Sequence, residues 1–73
     1  MKTVVVIITG ILLELAESDM ERIEEALLGV DGVEVVITSY VDISADVICA
    51  TSVTVDGLKA ALRAIGFDAR VAH

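Results

Sequence analysis

Thr9 to Glu21, TGILLELAESDME, joins an apolar, β-branched run to the first helical pattern. Upstream, Thr3 to Thr9 (TVVVIIT) has strand length and strong β propensity, and Gly10 stops it. Val4, Val6 and Ile8 face one side of such a strand; Val5 and Ile7 face the other. Both faces are apolar, which predicts a central strand, or one whose second face meets a partner. Downstream, Ser18-Asp19-Met20-Glu21 has the spacing of a capping box, in which Ser18 and Glu21 satisfy each other's backbone N–H groups. Met20, Ile23, Leu27 and Val30 then recur at helical spacing, with Ala26 beside them and Arg22, Glu24 and Glu25 on the other face. The helix is predicted to end near Leu28-Gly29. ILLELAE is itself helix-prone, so a start near Leu12 or Leu13 is also open.

Beyond this helix, Asp31-Gly32 signals a turn and Val33 to Ser39 (VEVVITS) a second strand. Tyr40-Val41-Asp42 makes a short turn into a third strand within Ile43–Thr51, where Ala45, Val47 and Cys49 alternate with Asp46, Ile48 and Ala50. Thr54 is the N-cap of a second helix, with Leu58, Ala61, Leu62 and Ile65 as its apolar stripe and Gly66 as its stop. Phe67 to Ala72 is a short last strand, placed at an edge. The order strand, helix, strand, strand, helix, strand predicts a doubled βαβ pattern, an α+β βαββαβ domain spanning residues 1–73. Its sheet has four antiparallel strands with two helices on one face. Right-handed crossovers put the first and third strands in the middle.

Composition narrows the function classes. A 73-residue chain makes one small domain, which leaves about 40% of its unfolded surface exposed. Of its residues 56% are apolar, mean hydropathy is +0.85, and Tyr40 and Phe67 are the only aromatics, so the core is aliphatic. The net charge of −7 disfavours nucleic acid and anionic membrane surfaces, and suits solubility or a cationic partner. The apolar start ends at Glu14, lacks a small-residue cleavage site and is too short to span a bilayer, so neither a targeting nor a membrane role is expected. A single cysteine excludes an internal disulfide and suits a reducing compartment, so a natural chain of this kind is expected in the cytoplasm.

The segments VTVDGLKAALRAIGFDARV (Val53–Val71), IEEALLGVDGV (Ile23–Val33) and the Ala45-Asp46-Val47 alternation resemble the heavy-metal-associated (HMA) domain family in order and spacing. The resemblance implies the ferredoxin-like fold and the transfer of soft metal ions, often Cu(I) or Zn(II), between chaperones and transport ATPases. In that family the ion is held by Gly-Met-Thr-Cys-x-x-Cys after the first strand, where two thiolates bind it and release it readily. Here Gly10 matches the motif glycine and Ile11 stands at the methionine. Counted forward from Gly10, the cysteine positions fall on Leu13 and Ala16; counted back from the helix, they fall on Ala16 and Asp19. The junction is three residues longer than the common spacing, and neither count meets a thiolate. No family ligand carries over, so the expected metal, cofactor-binding and catalytic residues are none. Leu12, Leu13 and Leu15 are instead expected to pack, and the junction to position the first helix.

The remaining chemistry-bearing residues have bland readings. Cys49 sits mid-strand on the Ala45-Val47 face, where a small buried hydrophobe is expected. Met20 belongs to a helix stripe, and His73 is terminal. Glu14, Glu17, Asp19, Glu21, Glu24 and Glu25 match no calcium-loop spacing and read as a solvated helix face with favourable N-terminal charge. Asp42, Asp46 and Asp56 have no nucleophile or oxyanion hole nearby in sequence, and no glycine pattern cradles phosphate, so no enzyme is expected. Val5, Ile7, Ile48 and Ala50 are expected on the sheet face away from the helices, where Val5, Ile7 and Ile48 offer a surface for self-association.

The first functional expectation is therefore a small, stable, soluble HMA-like scaffold without metal site or catalysis. It would be either a de novo designed sequence on that backbone or a degenerate natural domain. The replaced metal loop, the capping box and the aliphatic core favour design. Two alternatives stand beside it. One is a metallochaperone-type domain that binds heavy metal through non-standard ligands. The other is a small-molecule sensor of the ACT type, which shares the βαββαβ order and often has a glycine after its first strand, as at Gly10.

Overall fold

The computed structural model describes residues 1–9 and 16–72. The β-branched run forms β1 (Lys2–Ile8) and lies in the middle of the sheet, paired antiparallel to β3 (Ser44–Cys49) on one side and β4 (Ala69–Ala72) on the other. β2 (Val33–Ser39) pairs with the far side of β3, giving the order β2-β3-β1-β4. The expected central pair and the expected edge position of the last strand both hold. With α1 (Glu17–Leu28) and α2 (Val55–Arg63), the element order is βαββαβ.

Both helices cover one face. Val4, Val6 and Ile8 of β1 and Ala45, Val47 and Cys49 of β3 point into a single core with Met20, Ile23 and Leu27 of α1, Leu58 and Leu62 of α2, and Val36 and Val53. No polar or charged side chain among the described residues is buried with them. Burying a side chain such as Leu27, which is fully covered, removes it from water at a gain of about 2 kcal/mol. Ile65, Phe67, Ala69 and Val71 close the core from the α2–β4 side.

The structure corrects several local expectations. α1 begins one residue before Ser18, with Ala16 as its N-cap, and Ser18 lies exposed within the first turn. Ala16 has no side-chain acceptor; half of a capping box survives, because its N–H donates to Asp19 Oδ2 at 3.0 Å. The acid three residues into the helix is therefore Asp19, and Glu21 is free to face solvent. The possible earlier helix start and the packing expected of Leu12, Leu13 and Leu15 lie outside the described residues. α1 does end at Leu28 with Gly29 as its C-cap, as expected, in right-handed geometry; Gly32, at φ 95°, is left-handed in the turn into β2. β3 falls within the expected Ile43–Thr51 and begins at Ser44, where Ile43, at φ 52°, turns the chain while its carbonyl accepts from Ile8 N–H. β4 starts at Ala69 because Phe67 N–H still donates to Leu62 O of the second helix. Ala50, expected on the open face, packs against the core instead.

The second helix starts where expected but ends at Arg63 with Ala64 as its C-cap, so Ile65 lies in the turn that Gly66 completes at φ 91°. Thr54 is its N-cap, and its hydroxyl oxygen accepts from Gly57 N–H at 3.1 Å. No helix among the described residues is long and apolar enough to cross a membrane.

Candidate functional site at the β1–α1 junction

The junction leaves the sheet at the C-terminal end of β1. Thr9 is exposed there, and its N–H donates to Asp68 O at 2.9 Å, which ties the exit of β1 to the entry of β4. The chain is next described at Ala16, exposed at the start of α1. Residues 10–15, including Gly10 and Glu14, lie between.

Two ion pairs border this end. Arg22 reaches Asp19 at 3.5 Å, and its Nη2 donates to Ile65 O at 3.4 Å while its guanidinium lies 5.9 Å from the centre of the Phe67 ring. Arg63 Nε donates to Asp68 Oδ1 at 3.4 Å. Arg22 thus joins α1 to the end of α2 through a stacked, hydrogen-bonded contact. The Arg63–Asp68 pair is open to water and adds little to stability. Sequence reasoning missed the Arg22–Phe67 contact. The two residues are 45 positions apart in the chain, and no periodic pattern links them.

A soft metal ion held at this junction needs thiolate, thioether or imidazole donors. The sequence from Thr9 to Ala16, TGILLELA, offers only the Thr9 hydroxyl and the Glu14 carboxylate as side-chain donors. The lone thiol is not close by. Cys49 pairs with Lys2, at the opposite end of β1 from the junction, about 20 Å away at the rise of a strand. It is also fully buried on the helix-covered face. Met20 is buried in the core, and Met1 is exposed beside Lys2, at the far end. His73 lies outside the described residues. The sequence from Thr9 to Ala16 thus supplies no thiolate, thioether or imidazole.

The carboxylates do not converge either. Asp42 accepts from the Ser39 hydroxyl at 3.2 Å and closes the β2–β3 turn. Asp46 lies on the open sheet face opposite Val5 and Ile37, and Asp56 belongs to the first turn of α2 on the other side of the sheet. Glu17, Glu21 and Glu25 are exposed along α1, Glu24 is half-buried, and Asp19 is engaged with Ala16 and Arg22. Among the described residues no group of three His, Cys, Asp or Glu side chains is placed to hold a metal ion.

No family model matches this sequence, and no curated protein does. Solved structures match over nearly the whole chain. A copper-binding domain from HMA7, a P-type ATPase, superposes with a TM-score of 0.88 at 24% identity, over 100% of this chain and 96% of that one. Oxidised MerP from Ralstonia metallidurans CH34 gives 0.87 at 20% identity, covering 99% and 97%. NmerA, the N-terminal HMA domain of Tn501 mercuric reductase, gives 0.77 at 29% identity, covering 94% and 96%. With the strand order and the helix-covered face, these matches establish that the chain has the ferredoxin-like fold of heavy-metal-associated domains.

Proposed function

We propose that this chain is a non-catalytic scaffold on the heavy-metal-associated fold, designed on that backbone or degenerated from it, that does not carry a soft metal ion at the β1–α1 junction. One observation supports the reading above the others. The only thiol, Cys49, is buried at the far end of β1, while the junction sequence holds no soft donor. Of the three habits that favour design, the aliphatic core agrees with the fold, and the full capping box at Ser18–Glu21 does not.

The second reading is a metal-transfer domain with non-standard ligands, and the fold neighbours favour it, since one of them is described as copper-binding. Stoichiometric titration with Cu(I), Zn(II) and Cd(II) separates the two. The scaffold reading expects no saturable binding at micromolar protein; one tight equivalent of any of the three overturns it. A thermal-shift screen with amino acids tests the ACT-type alternative, which requires stabilisation by at least one of them.

A further inference from the structure

The two edges of the sheet are built differently. β4 is four residues long and carries Arg70, with Asp68 just before it, the kind of short, charged edge that discourages pairing. β2 is seven residues long and has no lysine, arginine or proline. Its one irregularity is the bulge at Glu34, where the register shifts between Val33 and Val35. Toward the open face, Val35 is 43% and Ile37 56% exposed, more than any apolar side chain of β1 or β3, and Ile48 adjoins Val35 across the ladder. Val41, in the turn after β2, is 90% exposed. An edge strand also leaves alternate backbone N–H and C=O groups unpaired along its outer side.

The helix side of the same edge has the opposite character. α1 packs on β2 and on α2, and α2 packs on β4, so the flank of α1 away from α2 overhangs the free edge of β2. Arg22, bonded to the end of α2, marks the other flank. Glu17, Glu21 and Glu24 follow one another at spacings of four and three, roughly a third of a turn from the buried Ile23–Leu27 stripe and away from Arg22. They make an acidic wall above the edge, and none of the three has a cationic side chain paired with it among the described residues.

We propose that the β2 edge is a docking site for an extended segment of a partner protein that adds as a fifth strand. Alternate residues of that segment are basic, toward Glu17, Glu21 and Glu24, and apolar, toward Val35 and Ile37. Backbone pairing supplies the affinity of such strand addition, and the alternating side chains supply its selectivity. A second copy of this chain is a poor occupant. β2-to-β2 pairing sets two acidic walls side by side, on chains that each carry net charge −7.

The test titrates a blocked heptapeptide of alternating lysine and valine into isotopically labelled protein and follows the backbone amides. Shifts concentrated in residues 33–39 and on α1 are expected, with affinity falling as salt rises. Ile37→Lys is expected to weaken binding at least tenfold. The triple variant Glu17→Gln, Glu21→Gln, Glu24→Gln, with the first two exposed and the third half-buried, is expected to flatten the salt dependence. The matching glutamate–valine peptide is expected not to bind. No binding at millimolar lysine–valine peptide overturns the proposal. So do shifts centred on β4, equal binding of the acidic peptide, or a protein dimer that already occupies β2.

Discussion

The two faces of this sheet are written in alternate residues of the same strands, yet they differ in kind. On β3, Ala45, Val47 and Cys49 are fully buried under the helices, while Asp46 is exposed and Ile48 half-buried on the other side. The covered face is closed over an apolar core, without a buried polar side chain among the described residues. The open face mixes half-buried Val5, Ile7 and Ile48 with exposed Val35 and Ile37 and with Asp46 and Arg70. The difference teaches where chemistry can occur. The chain's one thiol, Cys49, lies on the closed face among the packed core side chains.

Substitutions on the covered face should have the largest effects. Leu27→Ala removes a fully buried side chain at the centre of the core and should cost about 2–5 kcal/mol, measured by urea denaturation. Next comes the turn that brings α1 into β2. A Cβ at Gly32 would stand 2.8 Å from Val53 Cγ2, on a buried β-branched residue, and φ there is 95°. Gly32→Ala should cost about 3 kcal/mol, the upper end for strained backbone, whereas Gly66→Ala should cost only about 1–2 kcal/mol. Gly66 has φ 91° but nothing within 4 Å of the added atom, so the difference between the two variants isolates the close approach. Equal losses would mean that Val53 yields without cost.

Cys49→Ser sets a hydroxyl into the apolar core and should destabilise by about 1–3 kcal/mol by the same measurement. A neutral result would place the thiol in contact with water or a polar partner. At the small end, Ile37→Thr on the open face should change stability by no more than about 0.5 kcal/mol. A loss comparable to that of Leu27→Ala would show that the open face is covered in solution, as the self-association surface of Val5, Ile7 and Ile48 requires.

Most of the architecture was legible because it depends on periodicity. The two-sided apolar character of TVVVIIT placed β1 in the middle, and the Met20-Ile23-Leu27 spacing marked the buried side of α1. What escaped depends on backbone path. The bulge at Glu34 turns Val33 and Val36 both toward the core and leaves Val35 and Ile37 out, a break in alternation that no period-two pattern reports. The N-cap fell on Ala16, since a helix can start without a side-chain acceptor when an acid three residues on takes the first N–H. Ile43 in left-handed geometry is equally silent in sequence, because a β-branched residue is the wrong type for that conformation; its side chain packs on the core. At the junction the sequence spoke mainly through absence: neither way of aligning it places a thiolate, and the structure sets Cys49 at the other end of the strand.

The direct test of that placement is the alkylation rate of Cys49 in the native protein, with and without one equivalent of Cu(I). A thiol sealed under both helices reacts only as fast as the domain opens, so labelling should be slow, should accelerate with denaturant and should be unchanged by the ion. Fast labelling under native conditions that Cu(I) suppresses would contradict the account, because it would make Cys49 an accessible ligand.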